Sequence, residues 1–218
     1  CWKRGISEKW CAKDQKQFSD VERKAWRERM ECLKQERDKA QVETRAEART
    51  NATEIMRAAG SETGSHPYLQ RKSIKAYPGI RYGRWEQRHK DGCLLIPMHD
   101  ASGVLWNVQA IFPEKDAVLG RDKDYMSGAT KRGLYFAIGT PDGVLYIAEG
   151  YATAASIHEV TGHAIAVAFD AGNLKPVAEA LREKYPNVRI IVCADNDISP
   201  DGKPNPGVVE ASKAARAV

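Results

Sequence analysis

The last third of the chain alternates short apolar runs with helix-like segments, and this alternation constrains the fold more than any other feature. The apolar runs at residues 144–148, 164–169 and 188–194 have the length and composition of buried strands. Helical patterns lie between them, at residues 153–160 and 174–184. Continuous apolar strands that alternate with helices are typical of a parallel sheet covered on both faces. We therefore expect an α/β fold, with a parallel sheet and flanking helices over residues 141–218.

The chain before this segment falls into two further parts. Residues 1–57 are rich in Glu, Lys, Arg and Ala and contain no Pro, and Trp26, Met30 and Leu33 share one helix face, which predicts a charged helical arm. Gly60, Gly64 and Pro67 interrupt the helical pattern. The runs 93–98 and 104–111 are then joined by a turn-rich segment, as in a β-hairpin. We expect a helical arm at 1–60, a small basic α+β subdomain at 61–140 and the α/β segment at 141–218.

Positive charge is concentrated in the middle part of the chain. The net charge is only +5, but seven of the basic residues lie between positions 71 and 90, where Glu86 is the single acid and three aromatic residues are interspersed. Basic side chains that neutralise phosphates, together with aromatic rings that stack on bases, are typical of a single-strand nucleic-acid surface. A solvated loop whose aromatic rings pack into the core is the alternative. The expected nucleic-acid-binding residues are Arg71, Lys72, Lys75, Arg81, Arg84, Trp85 and Arg88.

Acidic residues follow all three predicted strands of the α/β segment. Glu149 follows the first, Asp170 the second, and Asp195 and Asp197 the third. Ligands of open parallel sheets bind outside the carboxyl ends of the strands, and converging carboxylates there favour a hard divalent cation such as Mg²⁺ or Mn²⁺. We therefore predict Glu149, Asp195 and Asp197 as metal ligands and catalytic residues. The alternative is that these acids cap helices and form turns, and for Asp170 we favour a helix cap over a third ligand.

These residues carry a resemblance to a known family. Glu149-Gly150 after one strand and Asp195-Asn196-Asp197 after a later one resemble the Toprim domain, which is shared by primases, topoisomerases, some nucleases and recombination proteins. The hexapeptide EGYATA at 149–154 is similar to the signature of primases from conjugative plasmids and satellite phages. Two upstream blocks, at 95–104 and 125–135, also resemble segments that precede the Toprim part of primases. The resemblance thus spans roughly residues 66 to 218.

The resemblance implies a function, a cofactor and partners. The chain is expected to be the catalytic core of a DNA primase that uses Mg²⁺ or Mn²⁺ to make short primers on a single-stranded DNA template from nucleoside triphosphates, in plasmid or phage replication or conjugation. Contacts to nucleotide or template are expected from Lys131, Arg132, Gly150 and Tyr151. We expect a fragment of a longer polypeptide, because the sequence begins with Cys1 and not Met, and a helicase, relaxase or zinc module as a further part of it. The five irregularly spaced cysteines indicate the cytoplasm, and we expect no membrane association.

Two other functions remain open at this stage. A Toprim site also serves nucleases and topoisomerases, and Tyr151 is the one tyrosine beside the predicted site that could act as a topoisomerase nucleophile. We favour a packing or base-stacking role for it. A nucleic-acid-binding module without chemistry would use the basic segment at 71–90 and leave the acids a structural role. Primer synthesis requires nucleotides, cleavage requires only DNA and a metal ion, and simple binding persists when the metal is chelated.

Overall fold

The computed structural model describes residues 18–61, 66–196 and 205–218. The chain divides into two compact units, residues 1–43 and 44–218. Helix α1 (Asp20–Ala58) begins in the first unit, where Ser19 and Glu22 form a capping box: the Glu22 N–H donates to the Ser19 hydroxyl, and the Ser19 N–H donates to the Glu22 carboxylate. In the second unit, Ala48 and Ala52 of the same helix are buried.

The first sheet is antiparallel and lies in the middle of the chain. Its strand order is β1-β2-β3-β4, and the predicted hairpin is confirmed by β2 and β3, which pair antiparallel from Leu94 with Ile111 to His99 with Leu105. A short helix precedes the sheet, and its first turn is capped by the buried His66 imidazole, whose Nδ1 accepts from the Tyr68 N–H. The elements are α2 (Pro67–Lys72), β1 (Arg81–Trp85), β2 (Lys90–His99), β3 (Leu105–Ile111) and β4 (Lys123–Tyr125).

The second sheet occupies the last third of the chain, and its strand order is β5-β7-β6-β8. The central strand β6 pairs in parallel with both β7 and β8, while β5 adds an antiparallel edge next to β7. Three helices accompany the strands, and the apolar pattern placed β6, β7 and β8 and the first two helices to within about two residues. The elements are β5 (Phe136–Ile138), β6 (Val144–Ala148), α3 (Tyr151–Thr161), β7 (Ala164–Val167), α4 (Leu174–Lys184), β8 (Arg189–Cys193) and α5 (Pro206–Ala215).

Three apolar clusters hold the two sheets and their helices together. One cluster buries the first sheet against α1, with Trp85 and Phe112 as its largest side chains. A second cluster joins the other face of that sheet to α3 and to one face of the second sheet, and includes Met98, Tyr151 and Ile165. The third covers the opposite face of the second sheet with α4 and α5. The parallel strands are therefore covered on both faces, as their continuous apolar runs predict.

The predicted fold class is confirmed, with one strand in an unexpected place. Strand β5 lies before residue 140, within the predicted α+β subdomain, yet it pairs with β7 in the second sheet. A three-residue strand has too little periodic pattern to reveal its sheet partner. The division into parts at residues 60 and 140 stays a prediction. Among the described residues, no helix combines the length and apolar character needed to cross a membrane.

Candidate active site

The parallel register brings the ends of three strands to the same edge of the second sheet. Ala148 pairs with Val167 on one side and with Cys193 on the other, so the chain leaves β6, β7 and β8 at nearly the same level. Glu149 follows β6 directly, Asp195 follows β8 by two residues, and Asp170 follows β7 by three. We call this group of acids the carboxylate edge, defined by Glu149, Asp170 and Asp195.

The surroundings of Glu149 disfavour its charged form. Burial raises the pKa of Glu149, and the negative charges of Asp195 and Asp170 raise it further. A backbone hydrogen bond from Ala171 and the positive charge of Lys123 act in the opposite direction. The carboxylates of the edge are therefore close enough to repel one another, and a cation placed between them would relieve that repulsion.

Asp195 is positioned by two helices. The Thr153 hydroxyl, in the first turn of α3, lies 3.4 Å from the Asp195 Oδ1 and donates to it. A Cβ atom on Gly207, in the first turn of α5, would lie 2.7 Å from the Asp195 backbone oxygen, so only glycine fits this approach. Gly150 precedes α3 with an extended backbone, at a φ of −104°, a conformation open to any residue.

The donor chemistry of the edge fits a hard divalent cation. Glu149 and Asp195 offer only oxygen atoms, which Mg²⁺ and Mn²⁺ prefer, and their mutual repulsion is what such an ion would relieve. The third predicted ligand, Asp197, lies outside the described residues. Within the described ranges no group of three His, Cys, Asp or Glu side chains is arranged to hold a metal ion.

Asp170 is not the helix cap that we expected. It occupies the position before a short 3₁₀ helix at residues 171–173, but its carboxylate makes no capping hydrogen bond there in the described structure. Instead, the Asp170 Oδ2 accepts from the Lys131 Nζ at 2.8 Å. Lys131, which precedes β5, is one of the residues predicted to contact nucleotide. Its ion pair with Asp170 places its ammonium group at the carboxylate edge. Its neighbour Arg132 is exposed.

Tyr151 does not face a substrate, contrary to the expectation that it contacts nucleotide or template. Its side chain is 1% exposed, and its hydroxyl donates to the Lys75 carbonyl oxygen at 2.6 Å. Burial raises the pKa of this phenol well above its ordinary value. A buried, protonated hydroxyl engaged with the backbone cannot attack a phosphodiester, so the one tyrosine considered for topoisomerase chemistry is a core residue.

Trp85 is likewise not available for stacking on bases. It is fully buried against α1 and β3, and its indole N–H donates to the Asp124 carboxylate at 3.1 Å. The structure therefore contradicts its predicted role, because alternation along β1 turns this side chain into the core. Tyr82, in the same strand, is 40% exposed and remains accessible.

Several of the predicted nucleic-acid-binding cations are engaged with acids. Arg84 is paired with Glu86 and Asp91, and Arg88 with Asp124. Arg71 donates to the Pro113 carbonyl oxygen and lies 3.7 Å from Asp122, and Lys75 lies 3.6 Å from Glu159. Lys72 and Arg81 are exposed, and neither forms an ion pair within the described part of the chain. The free positive charge is therefore smaller than the sequence count suggests.

The comparisons with known proteins agree with this architecture. The Toprim domain model matches residues 144–218. Two proteins from Escherichia coli, each named DNA primase TraC, are 38% identical over 160 residues and 35% identical over 159 residues; both matches cover 70% of this chain. The chain spans only 10% and 14% of the lengths of these relatives.

A solved structure, that of a DNA primase domain from Pseudomonas aeruginosa, resembles this one with a TM-score of 0.51 and 11% identity. The match covers 77% of this chain and 65% of that one, and at this identity it shows a shared fold alone. The resemblance drawn from the sequence is thus confirmed: this chain carries a Toprim domain at residues 144–218 and is similar in sequence to DNA primases over most of its length.

Proposed function

We propose that this chain is the catalytic core of a DNA primase, a nucleotidyltransferase that synthesises short primers on a single-stranded DNA template from nucleoside triphosphates. The observation that carries the proposal is the carboxylate edge of the Toprim domain, where Glu149 and Asp195 leave adjacent parallel strands and influence each other electrostatically. The similarity to proteins named DNA primase supports the same reaction. A role in plasmid or phage replication or conjugation belongs to this proposal as well.

The residues of the edge would act by position and charge. Glu149 and Asp195, with Asp197, would hold Mg²⁺ or Mn²⁺, which supplies charge neutralisation for a triphosphate when bound. Lys131, whose ammonium group lies beside the edge, would contact the phosphates, and the exposed Arg132 would meet nucleotide or template. Lys72 and Arg81 would contact the DNA backbone most readily. The exposed ion pairs of Arg71, Lys75 and Arg84 are weak enough to exchange for phosphate, whereas Arg88 is held by the buried Asp124.

Primer synthesis on single-stranded DNA tests this proposal. The full chain is incubated with labelled nucleotides and Mg²⁺ or Mn²⁺, beside the variants Glu149→Gln and Asp195→Asn. The matched control is Asp142→Asn, an exposed aspartate two residues before the opposite end of β6. We expect short labelled products from the wild type and the control, and a loss of at least about 100-fold in both site variants, because an interaction required by the transition state is removed.

Other outcomes select the other functions. DNA cleavage without nucleotide incorporation, lost in the same two variants, would identify a Toprim nuclease. Binding of single-stranded DNA that persists in EDTA, with neither synthesis nor cleavage, would identify a binding module. Equal primer synthesis by the wild type and by both site variants would refute the assignment of the carboxylate edge.

A further inference from the structure

The turn that follows β7 has an unusual backbone for its sequence. We call residues 168–173 the β7 turn. Phe169 adopts a left-handed conformation with a φ of +72°, which a bulky side chain rarely takes, and the next residue is Asp170 of the carboxylate edge. A conformation of this kind persists only where the surrounding structure holds it, and such positions are frequent at functional sites.

The β7 turn is held by the segment that joins the two sheets. The Tyr125 hydroxyl donates to the Phe169 carbonyl oxygen at 3.1 Å and itself accepts from the Gln109 amide at 2.7 Å. The buried Asn173 side chain accepts from the Gly133 N–H at 2.7 Å and donates to the carbonyl oxygens of Leu134 and Ala168, at 2.9 and 2.7 Å. The β7 turn is therefore bonded to Tyr125 at the end of β4 on one side of Asp170, and to residues 133 and 134 on the other side.

This arrangement defines the position of Lys131. Its ammonium group lies 2.8 Å from the Asp170 carboxylate and 4.5 Å from the centre of the Tyr125 ring, a cation–π distance. A half-exposed lysine has many rotamers, and an ion pair alone restricts them little. Here the Tyr125 hydroxyl and the residues on either side of Asp170 are held by hydrogen bonds, so ring and carboxylate together favour one location for the ammonium group.

The same turn also reaches the metal-binding side of the site. The Ala171 backbone hydrogen bond to Glu149 comes from the residue next to Asp170. The β7 turn thus lies beside Glu149 and also carries Asp170, the partner of Lys131. Of the described acids of the edge, Asp170 is the one that forms an ion pair, and its partner is Lys131.

We propose that Asp170 is a positioning residue, not a metal ligand: through its ion pair it holds Lys131 beside the carboxylate edge, where Lys131 receives the phosphates of a nucleoside triphosphate. This inference rests on the proposed function for the identity of the ligand. The ion pair between Asp170 and Lys131 does not depend on the proposed function, since it follows from the contacts of the β7 turn.

The test uses the full chain and the variants Asp170→Ala, Asp170→Asn, Lys131→Ala and the double variant Asp170→Ala/Lys131→Ala. Three quantities are measured: Mn²⁺ affinity without nucleotide, affinity for a non-hydrolysable nucleoside triphosphate with Mn²⁺, and kcat and KM of primer synthesis. The matched control is Glu179→Gln, which removes the acid of an exposed ion pair with Lys175 on α4.

We expect Asp170→Ala to weaken triphosphate binding and raise KM by about tenfold, with kcat changed less than about threefold and Mn²⁺ affinity within about twofold of the wild type. Lys131→Ala should produce a similar loss, and the double variant should be no worse than Lys131→Ala, because the two residues act as a unit. Asp170→Asn retains an oxygen that can accept from Lys131 and should recover part of the loss. Glu179→Gln should match the wild type.

A fall in Mn²⁺ affinity of about tenfold or more in Asp170→Ala would overturn the proposal, because Asp170 would then act on the metal, as a ligand or as a partner of a ligand. Additive losses in the double variant would overturn it as well, since they would show that Lys131 does not depend on Asp170. A wild type that binds triphosphate with the expected coupling but makes no primer would support the positioning role and refute the proposed function. A wild type that binds no triphosphate would overturn both.

Discussion

At the scale of single residues, the fold opposes the negative charge of Glu149. Its pKa is raised above the ordinary value of 4.5 by burial and by Asp195 and Asp170, so the folded chain retains this proton to a higher pH than the unfolded chain does. The free energy of unfolding then falls as the pH rises from about 4.5 through the raised pKa of the folded state. A metal ion bound at the edge would offset this loss of stability, because it would favour the ionised form of Glu149.

The substitution Glu149→Gln tests that account. Without divalent cations, the variant should be up to about 1 kcal/mol more stable than the wild type near pH 7, a figure discounted for the partial exposure of the side chain, and equally stable below about pH 4. Urea denaturation at the two pH values measures this, with Asp142→Asn as the control. A variant less stable than the wild type at neutral pH would show that ionised Glu149 has a stabilising partner.

Tyr151 shows how a residue inside a functional motif can have a purely structural role. Its hydroxyl is buried and donates to the Lys75 carbonyl oxygen. Tyr151→Phe should therefore cost about 1 to 2 kcal/mol in urea denaturation, the cost of leaving that carbonyl unpaired. Primer synthesis should stay within about threefold of the wild type. Loss of activity in a Tyr151→Phe variant that remains folded would show that the hydroxyl takes part in the reaction.

At the scale of elements, one buried carboxylate fastens the first sheet to the segment after β1. The Asp124 side chain is 5% exposed and accepts hydrogen bonds from four residues. Burial raises its pKa, but these bonds lower it more, and the net result is a pKa below 3.8. This contribution to stability is present above that value and is lost as the pH falls through the pKa of the folded state. The donors are Trp85, Gln87, Arg88 and Arg121.

Asp124→Ala should lower the free energy of unfolding by about 3 kcal/mol at neutral pH, because the buried Trp85 indole N–H would lose its acceptor and Arg88 would lose its ion-pair partner. Asp122→Ala is the matched control: its carboxylate lies 3.7 Å from the half-exposed Arg71, and its loss should cost less than about 1 kcal/mol. Urea denaturation measures both. Equal costs would mean that Asp124 does not organise this part of the sheet.

Helix α5 is the second element whose placement matters, because its first turn lies against the backbone of Asp195. Gly207→Ala would place a Cβ atom 2.7 Å from the Asp195 backbone oxygen. We expect the helix or the strand end to shift, and Mn²⁺ affinity to fall by about tenfold, since small displacements of a site are costly. Gly60→Ala is the control, because its Cβ would meet the Tyr82 oxygen at an ordinary 3.8 Å. Unchanged Mn²⁺ affinity in Gly207→Ala would show that α5 does not position Asp195.

At the scale of the whole molecule, the distribution of ion pairs predicts which cations contribute most to the proposed DNA contacts. Lys72 and Arg81 are exposed, whereas Arg84 already faces Glu86 and Asp91. The double variant Lys72→Ala/Arg81→Ala should reduce the slope of log K against log salt for single-stranded DNA by about 1.4, at roughly 0.7 per phosphate contact. Arg84→Ala should change it by less than about 0.7. An unchanged slope in the double variant would show that single-stranded DNA does not contact Lys72 and Arg81.

Whether a feature could be predicted depended on how far apart in sequence the interacting residues are. The positions of β6, β7 and β8 could be predicted because an apolar run is a local pattern, and Glu149 and Asp195 because they follow those strands. Trp85 and Tyr151 could not be assigned, since composition and motif do not reveal which side of an element faces the core. Tyr125 and Asn173 were missed as parts of the site because their partners lie about 40 residues away in sequence.

The sequence by itself determined the Toprim-like α/β fold, its strand ends and the acids that follow them, since hydrophobic periodicity and short motifs act over a few neighbouring residues. Only the tertiary structure decided which charges meet: it paired Lys131 with Asp170, buried Tyr151, and brought α5 against Asp195. The physical reason is that electrostatic and packing energies depend on distances in space. Those distances are set by sheet order and by contacts between residues far apart in the chain.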